Sequence, residues 1–204
     1  MFVRTLYITT DPADIDRTTD AIAKAVPGML YDQEGYHGFG MFADRTVGKV
    51  LTGSWWDSEQ AERHSDEQLR DRRTEMLAPL VSTVATMGME AVAFSRPASA
   101  SSGGFRLQRM MFDPSQAEQL ISTFNEMGLP RLKELDGFQG ATMLMDRKRG
   151  MASVGVIFQD MDALAASRGA QAALRKAALA RVSSAQVFAL EEMEVVDLEV
   201  PTPR

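Results

Sequence analysis

The feature that most restricts how this chain can fold is a segment made twice. Residues Tyr36 to Ser58 (YHGFGMFADRTVGKVLTGSWWDS) reappear in altered form at Phe138 to Asp160 (FQGATMLMDRKRGMASVGVIFQD). Superposing Asp44-Arg45 on Asp146-Arg147 also brings Gly38 onto Gly140, Met41 onto Met143, Gly48 onto Gly150 and Gly53 onto Gly155 without a gap. The same separation of about 102 residues relates Asp11-Pro12 to Asp113-Pro114, Gly35 to Gly137 and Ala61 to Ala163. Only near the end does it change, because Met89-Glu90 matches Met193-Glu194 at about 104, which predicts two extra residues in or after the last helix of the second half.

Each copy contains the same succession of patterns. Phe2 to Thr10 is rich in β-branched and aromatic residues, as a strand is, and stops at Asp11-Pro12, where aspartate can cap and proline suits the first helical position. Ile15, Ile22, Val26 and Met29 then recur at helical spacing, with a break expected near Pro27-Gly28. Tyr36 to Ala43 and Gly48 to Trp56 flank a short polar connection and form a β-hairpin. A second helix begins at Asp57-Ser58. Glu59 to Arg73 is charged enough to be solvated on most faces, and the stripe Met76, Leu77, Leu80, Val81 and Val84 carries the helix to Met87-Gly88, before a strand from Met89 to Ser95.

Arg96 to Gly104 (RPASASSGG) has the composition of a flexible linker. The expected domains are therefore residues 1–96 and 105–204, joined by a linker at 97–104. In the second half the order recurs: a strand at Phe105 to Phe112, a helix with Ala117, Leu120, Ile121, Phe124 and Met127 inward, the hairpin, a helix from about Met161 to Val182, and a strand from about Phe188 to Val200. Each half is thus β-α-β-β-α-β, the ferredoxin-like order, which places both helices on one face of an antiparallel sheet. Apolar residues on both faces of Phe39 to Phe42 and Thr142 to Met145 imply that the other face is covered too. The expected fold class is α+β, two tandem ferredoxin-like repeats whose sheets pack as a barrel within one polypeptide.

Composition excludes several functions. A net charge of −6 with acidic and basic residues intermixed disfavours nucleic acid and anionic membrane surfaces as partners. With no cysteine there are no disulfides and no thiolate chemistry, and no secretion signal or spanning segment is evident, so a cytoplasmic location is expected. Two histidines without metal-ligand spacing, and no phosphate-cradling glycine loop, lead to the expectation of no metal and no cofactor.

The strand entering an Asp-Pro helix, the glycine-aromatic-glycine pattern (Gly35-Tyr36 with Gly38; Gly137-Phe138 with Gly140), the Asp-Arg turn and the strand ending Trp56-Asp57-Ser58 together resemble the dimeric α+β barrel superfamily. Within it the similarity is to antibiotic biosynthesis monooxygenase (ABM) domains, here in tandem. The resemblance implies a cofactor-independent monooxygenase that holds an aromatic, polycyclic phenol in a helix-sheet cavity of the first repeat, where Trp56 would position the ring. This chain has Thr52 where quinone-forming members carry an asparagine, and Ile157-Phe158 where the first half has its tryptophans. The alternatives are a non-catalytic small-molecule binder and a structural protein with a filled core, and a homodimer of the whole chain stays open.

Strand alternation puts Thr52, Ser54 and Trp56 on one face and Leu51, Gly53 and Trp55 on the other. Candidate catalytic residues are Trp56, His64 and Tyr7, and candidate substrate-binding residues are Thr52, Trp56 and Tyr31. Each has a structural alternative: Trp56 as core under a helix, His64 as a solvated residue among Glu62, Arg63, Ser65 and Asp66, and the tyrosines as packed side chains with satisfied hydroxyls. Arg4 and Arg106, matched between halves, either anchor an anionic ligand or pair with carboxylates. His37, with Gln139 at the matching position, is a polar strand residue or a catalytic one.

Overall fold

A computed structural model describes residues 1–97 and 100–199. Part of the expected linker, residues 98–99, and the end of the expected last strand, Val200, lie outside the described residues. The order β-α-β-β-α-β occurs twice: β1 (Phe2–Thr9), α1 (Ile15–Leu30), β2 (Tyr36–Asp44), β3 (Lys49–Trp56), α2 (Glu59–Leu77) and β4 (Thr83–Ser95), then β5 (Gly104–Met111), α3 (Ala117–Thr123), α4 (Leu129–Lys133), β6 (Phe138–Asp146), β7 (Met151–Phe158), α5 (Met161–Ala166), α6 (Arg168–Leu179) and β8 (Gln186–Glu199). The strand order β1-β3-β2-β8-β5-β7-β6-β4 closes as a barrel, with β4 paired to β1.

The chain divides into two compact units, and the division falls inside two strands. The first unit holds Met1–Glu90 and takes in β8 from Val195 onward; the second holds Ser102–Glu194 and takes in β4 from Ala91 onward. β4 and β8, at 13 and 14 residues, are long enough to serve both. Val196 of β8 packs on the first unit's core with Leu6, Ile22, Phe39 and Trp56, while Ala93 of β4 joins the second unit's core with Phe124, Met143 and Phe158. In these cores a fully enclosed side chain such as Ile22, Phe39 or Met143 contributes roughly 1.5–3 kcal/mol relative to exposure.

Within each unit the hairpin turn is tied to the end of the first strand. Thr10 N–H donates to the Gly48 carbonyl, and Phe112 N–H to the Gly150 carbonyl, both at 2.8 Å. Gly48 has φ +65°, and a Cβ there would lie 2.1 Å from the Thr10 carbonyl oxygen. The aspartates that follow the first strands cap short 3-10 turns: Asp11 accepts from Ala13 N–H and Asp113 from Ser115 N–H, each at 2.9 Å.

Three boundaries differ from expectation. α1 runs unbroken through Pro27, since proline's missing donor and ring fall only in the last turn, where Tyr31 N–H still reaches the Pro27 carbonyl at 2.9 Å. α2 stops at Leu77, not near Met87, because residues 83–90 pair with β1 from Thr9↔Thr83 to Phe2↔Glu90. The second unit's last helix is split at Ser167, whose hydroxyl donates to the Leu164 carbonyl at 2.6 Å. The first helix of that unit is also irregular, with a π turn at Phe124–Gly128 between α3 and α4.

One of the two extra residues is visible as a bulge, since the offset between the last strands is 103 from Thr83 to Gln186 and 104 from Glu90 to Glu194. In the β5/β8 ladder Arg109 pairs with Ala189 but Met110 with Val187, so Phe188 is an unpaired bulge residue. Bulges also occur in both hairpins, at His37 between Tyr36 and Gly38 and at Gln139 between Phe138 and Gly140.

Gly48→Ala is expected to cost about 2 kcal/mol or more, from a disfavoured φ and a backbone clash. Gly28→Ala, in a helix with nothing within 4 Å of the new methyl, should be neutral or stabilising by about 0.5–1 kcal/mol. Urea unfolding of both variants checks the contrast.

Candidate helix-sheet sites

In the first unit Arg4, Leu6 and Ile8 of β1 and Thr52, Ser54 and Trp56 of β3 share the face beneath α1 and α2. Trp56 is fully buried; its indole N–H donates to Ser54 Oγ at 2.9 Å and the Tyr36 ring meets it edge-on at 5.7 Å. The Arg4 guanidinium lies 4.9 Å from the Trp56 ring centroid, a cation-π contact. Arg4, 2% exposed, donates to the Glu62 carbonyl at 3.1 Å and to Ser65 Oγ at 3.2 Å, with the Glu62 and Asp66 carboxylates at 3.7 and 3.8 Å. Burial brings its pKa down to about 10, opposed by Glu62 and Asp66 and assisted by the charge of Arg73. Burial likewise raises the Glu62 carboxyl against the pull of Arg4. At Asp66 burial also pushes upward, but hydrogen bonds from Arg70 and Arg73 and the charges of Arg73 and Arg4 hold it below the usual range.

A cavity of about 40 Å³ opens beside this cluster. Arg4, Arg73, Thr52 and Ser54 are its polar lining residues, and Ile22, Met29, Phe39 and Met76 are among its apolar ones. Of the residues singled out from sequence, Thr52 lines the cavity and Trp56 lies in the adjoining core, joined to it through Ser54 and Arg4. Tyr7 is on the opposite face of β1 from Leu6 and Ile8, since strand side chains alternate. His64 is exposed, with Nε2 2.9 Å from Gln68 Nε2, and Tyr31 is 76% exposed just past α1. His37 is half-buried in its bulge and bonded to Asp57. Arg4 takes carboxylate partners, as one of its two sequence readings had it.

Arg73, Glu62 and Asp66 escaped the sequence reading because so charged a stretch suggested a solvated helix. In fact Glu62 is 6% and Ser65 2% exposed. The available signal was the succession Glu62, Asp66, Arg70 and Arg73, which forms one helical face toward a strand arginine.

The second unit solves the same problem differently. Arg106, 3% exposed, reaches the Leu164 carbonyl at 3.5 Å, the counterpart of the bond from Arg4 to Glu62. Leu164 and Arg168 stand where the first unit has Glu62 and Asp66, so no helix carboxylate is available. Instead the charge partner is on the strand: Glu192, opposite Arg106 in the ladder, accepts from Arg106 Nε at 3.1 Å. The residue opposite Arg4 is Gly88, where a Cβ would come within 3.2 Å of Glu62 Oε2. Arg168 holds Glu192 from its other side at 2.6 and 3.0 Å. The Arg168 hydrogen bond, against burial and with Arg106, keeps the Glu192 carboxyl below its ordinary value. Beside it lies a cavity of about 80 Å³ in the same place between helices and sheet, with Phe158 and an edge-on Phe138 in the positions of Trp56 and Tyr36. Among the described residues no cluster of three His, Cys, Asp or Glu side chains is placed to hold a metal ion, and no helix is long and apolar enough to cross a membrane.

Glu192→Gln should destabilise the protein by about 3 kcal/mol, the cost of leaving a buried cation without its counter-charge. A variant combining Leu164→Glu, Arg168→Asp and Glu192→Gly transplants the first unit's solution, and in a chemical unfolding titration it should lie far closer to the wild type than Glu192→Gln does. In the wild type, Asp66 and Glu192 have lowered folded-state pKa values. Their contribution is therefore present above the unfolded carboxyl value of about 4 and disappears as pH falls through the lower folded values.

No family model matches the sequence. The uncharacterised protein Rv2557 of Mycobacterium tuberculosis is 29% identical over 192 residues, covering 92% of this chain and 83% of that protein. Among solved structures, an anthrone oxidase-like protein superposes with a TM-score of 0.73 at 14% identity, covering 98% of this chain and 92% of its own. A protein of Lactobacillus acidophilus described as a candidate monooxygenase does so at 0.71 and 11% identity, covering 98% and 95%. A haem-degrading enzyme of Listeria monocytogenes follows at 0.56 and 6% identity, covering 95% of this chain and 98% of its own. Element order, the closed strand order and these superpositions together give the chain the fold of the dimeric α+β barrels, the ABM-like ferredoxin fold, here completed by one polypeptide.

Proposed function

We propose that the first unit binds a small hydroxylated aromatic molecule in its helix-sheet cavity and oxygenates it without a cofactor. The observation that supports this is an otherwise apolar cavity whose lining includes Arg4, Arg73 and the Thr52 and Ser54 side chains. With a pKa of about 10, Arg4 remains cationic at neutral pH and favours a bound phenolate. An electron-rich anion of anthrone type can pass electrons directly to dioxygen. A ring methylene becomes a carbonyl, one oxygen atom stays in the product, and the other leaves as water with the two methylene hydrogens. The fold neighbours described as a candidate monooxygenase and as anthrone oxidase-like agree with this class of chemistry.

In this reading Thr52 hydrogen-bonds the substrate oxygen, while Trp56 is a positioning residue that fixes Ser54 and covers Arg4. Proton transfer is assigned to neither Tyr7, on the other face of β1, nor His64, on the surface. A cavity of about 40 Å³ is well below the several hundred typical of ligand sites, so a polycyclic substrate enters only as Met29, Met76 and the half-buried Arg73 move aside. Methionines, with three rotatable bonds, suit that role.

Oxygen uptake with a panel of hydroxylated aromatics tests the proposal. Thr52→Val should lower kcat/KM by about tenfold with the melting temperature little changed. Absence of uptake across the panel would discard oxygenation. The second reading, ligand carriage without chemistry, is favoured by the larger cavity of the second unit; saturable ligand binding without oxygen consumption would select it.

A further inference from the structure

The two helix-sheet cavities occupy equivalent positions, yet their polar groups are in opposite states. In the first, Arg73 is paired with Asp66 at 2.8 Å. In the second, Arg175 takes the place of Arg73, but Asp66 is replaced by Arg168, which is turned toward Glu192. Arg175 lines the cavity, half-buried, and bonds to no described residue. Gln171, 7% exposed, replaces Leu69; its Nε2 donates to Ser167 Oγ at 2.7 Å, and its carbonyl oxygen receives no hydrogen bond from a described residue. Thr123, 6% exposed, replaces Ala21, and its hydroxyl is likewise unbonded among the described residues. Both side chains line the cavity. An unpaired guanidinium and two further polar side chains, both with an atom unbonded among the described residues, thus line one otherwise apolar cavity, the combination that binds and orients a small ligand.

The space has its own origin. Gly128 stands where the first unit has Val26, and it ends the π turn that begins at Phe124, so the helix is widened where a side chain has been removed. The volume is about 80 Å³ against 40 Å³, enclosed by apolar walls that include Phe124, Met143 and Leu174.

We propose that this second cavity is a binding site of its own for a small monocyclic aromatic carboxylate carrying a ring hydroxyl. The carboxylate takes the fork of Arg175 at the mouth, a geometry in which guanidinium and carboxylate form two parallel bonds. The ring lies among the apolar walls, and its hydroxyl donates to the free Gln171 carbonyl or exchanges a bond with Thr123. At about 80 Å³ the space is smaller than the roughly 150 Å³ that holds a benzene ring, so a single ring enters only as the half-buried Leu174 and Arg175 move aside, and a long acyl chain is excluded. This site is separate from the first unit's and requires no reaction.

The test is calorimetric titration of the full chain with 4-hydroxybenzoate, benzoate and 4-hydroxybenzamide. The wild type should bind 4-hydroxybenzoate saturably, and the neutral amide at least tenfold more weakly. Arg175→Met should weaken 4-hydroxybenzoate at least tenfold without lowering the melting temperature, because it breaks no existing bond. Gln171→Leu should weaken 4-hydroxybenzoate but leave benzoate unchanged. Phe124→Ile with Gly128→Val, which copies the first unit's pair, should abolish binding. No saturable binding by the wild type at millimolar concentration would overturn the proposal, as would affinity indifferent to Arg175→Met. Loss of binding in Arg73→Met with retention in Arg175→Met would move the ligand to the first unit and equally refute it. Oxygen uptake in the first unit is measured separately, so either idea can fail alone.

Discussion

A cation is buried on the first strand of each unit, and the arrangement around it follows from the need to neutralise it. Arg4 and Arg106 are almost fully enclosed between sheet and helices, where a charge without a partner would be destabilising by several kcal/mol. Both therefore bond to a carbonyl in the first turns of the covering helix, the Glu62 carbonyl for Arg4 and the Leu164 carbonyl for Arg106. This bond ties the first strand to the second helical segment, elements distant in sequence, and it sets where the helix lies over the sheet. The carboxylate that completes the pairing comes from α2 in one unit and from β8 in the other.

The long strands supply the other constraint. β4 and β8 each begin in one unit's ladder and continue into the other unit's packing, so neither core is complete without residues contributed from far along the chain. Val196 and Ala93 are the clearest cases. Such sharing tolerates local irregularity only where the ladder can absorb it. Phe188 shows how: one of the two extra residues is accommodated as a bulge near the beginning of β8, before the ladder reaches Glu192, which must stand opposite Arg106. Had the extra residue entered later, the side-chain alternation would have turned Glu192 to the wrong face.

Much of this fold is legible in the sequence because duplication exposes it: glycines that recur in register, such as Gly48 and Gly150, mark turns that no other residue fits. Element boundaries are less legible. Leu77, Leu80, Val81 and Val84 satisfy helical spacing, yet the last of them belongs to a strand whose pairing with β1 outweighs the local pattern. The π turn after Thr123 has no local signature, since its widening depends on packing around Gly128. For the site, alternation on β3 correctly groups Thr52, Ser54 and Trp56. The same rule on β1 separates Tyr7 from Arg4, Leu6 and Ile8, and so was available from sequence once the inward face of β1 was known. His64 illustrates the remaining limit, because its helical phase depends on which charged residues of α2 are turned inward.

A single chain with two unlike halves can also do what two identical subunits cannot. In a homodimer any change to the counter-charge of the buried arginine occurs at both sites. Here the carboxylate has moved from helix to strand in one unit only. With Glu192 in place, helix positions 164 and 168 are relieved of neutralising Arg106, and they hold Leu164 and Arg168. Arg168 pairs with Glu192, and because an arginine stands where the first unit has Asp66, Arg175 lacks the partner that Asp66 gives Arg73. The ionic arrangement at the strand thus determines the chemistry at the cavity mouth one to two helical turns away. The difference between the two cavities follows from the substitution that relocated the charge, with no change in backbone order.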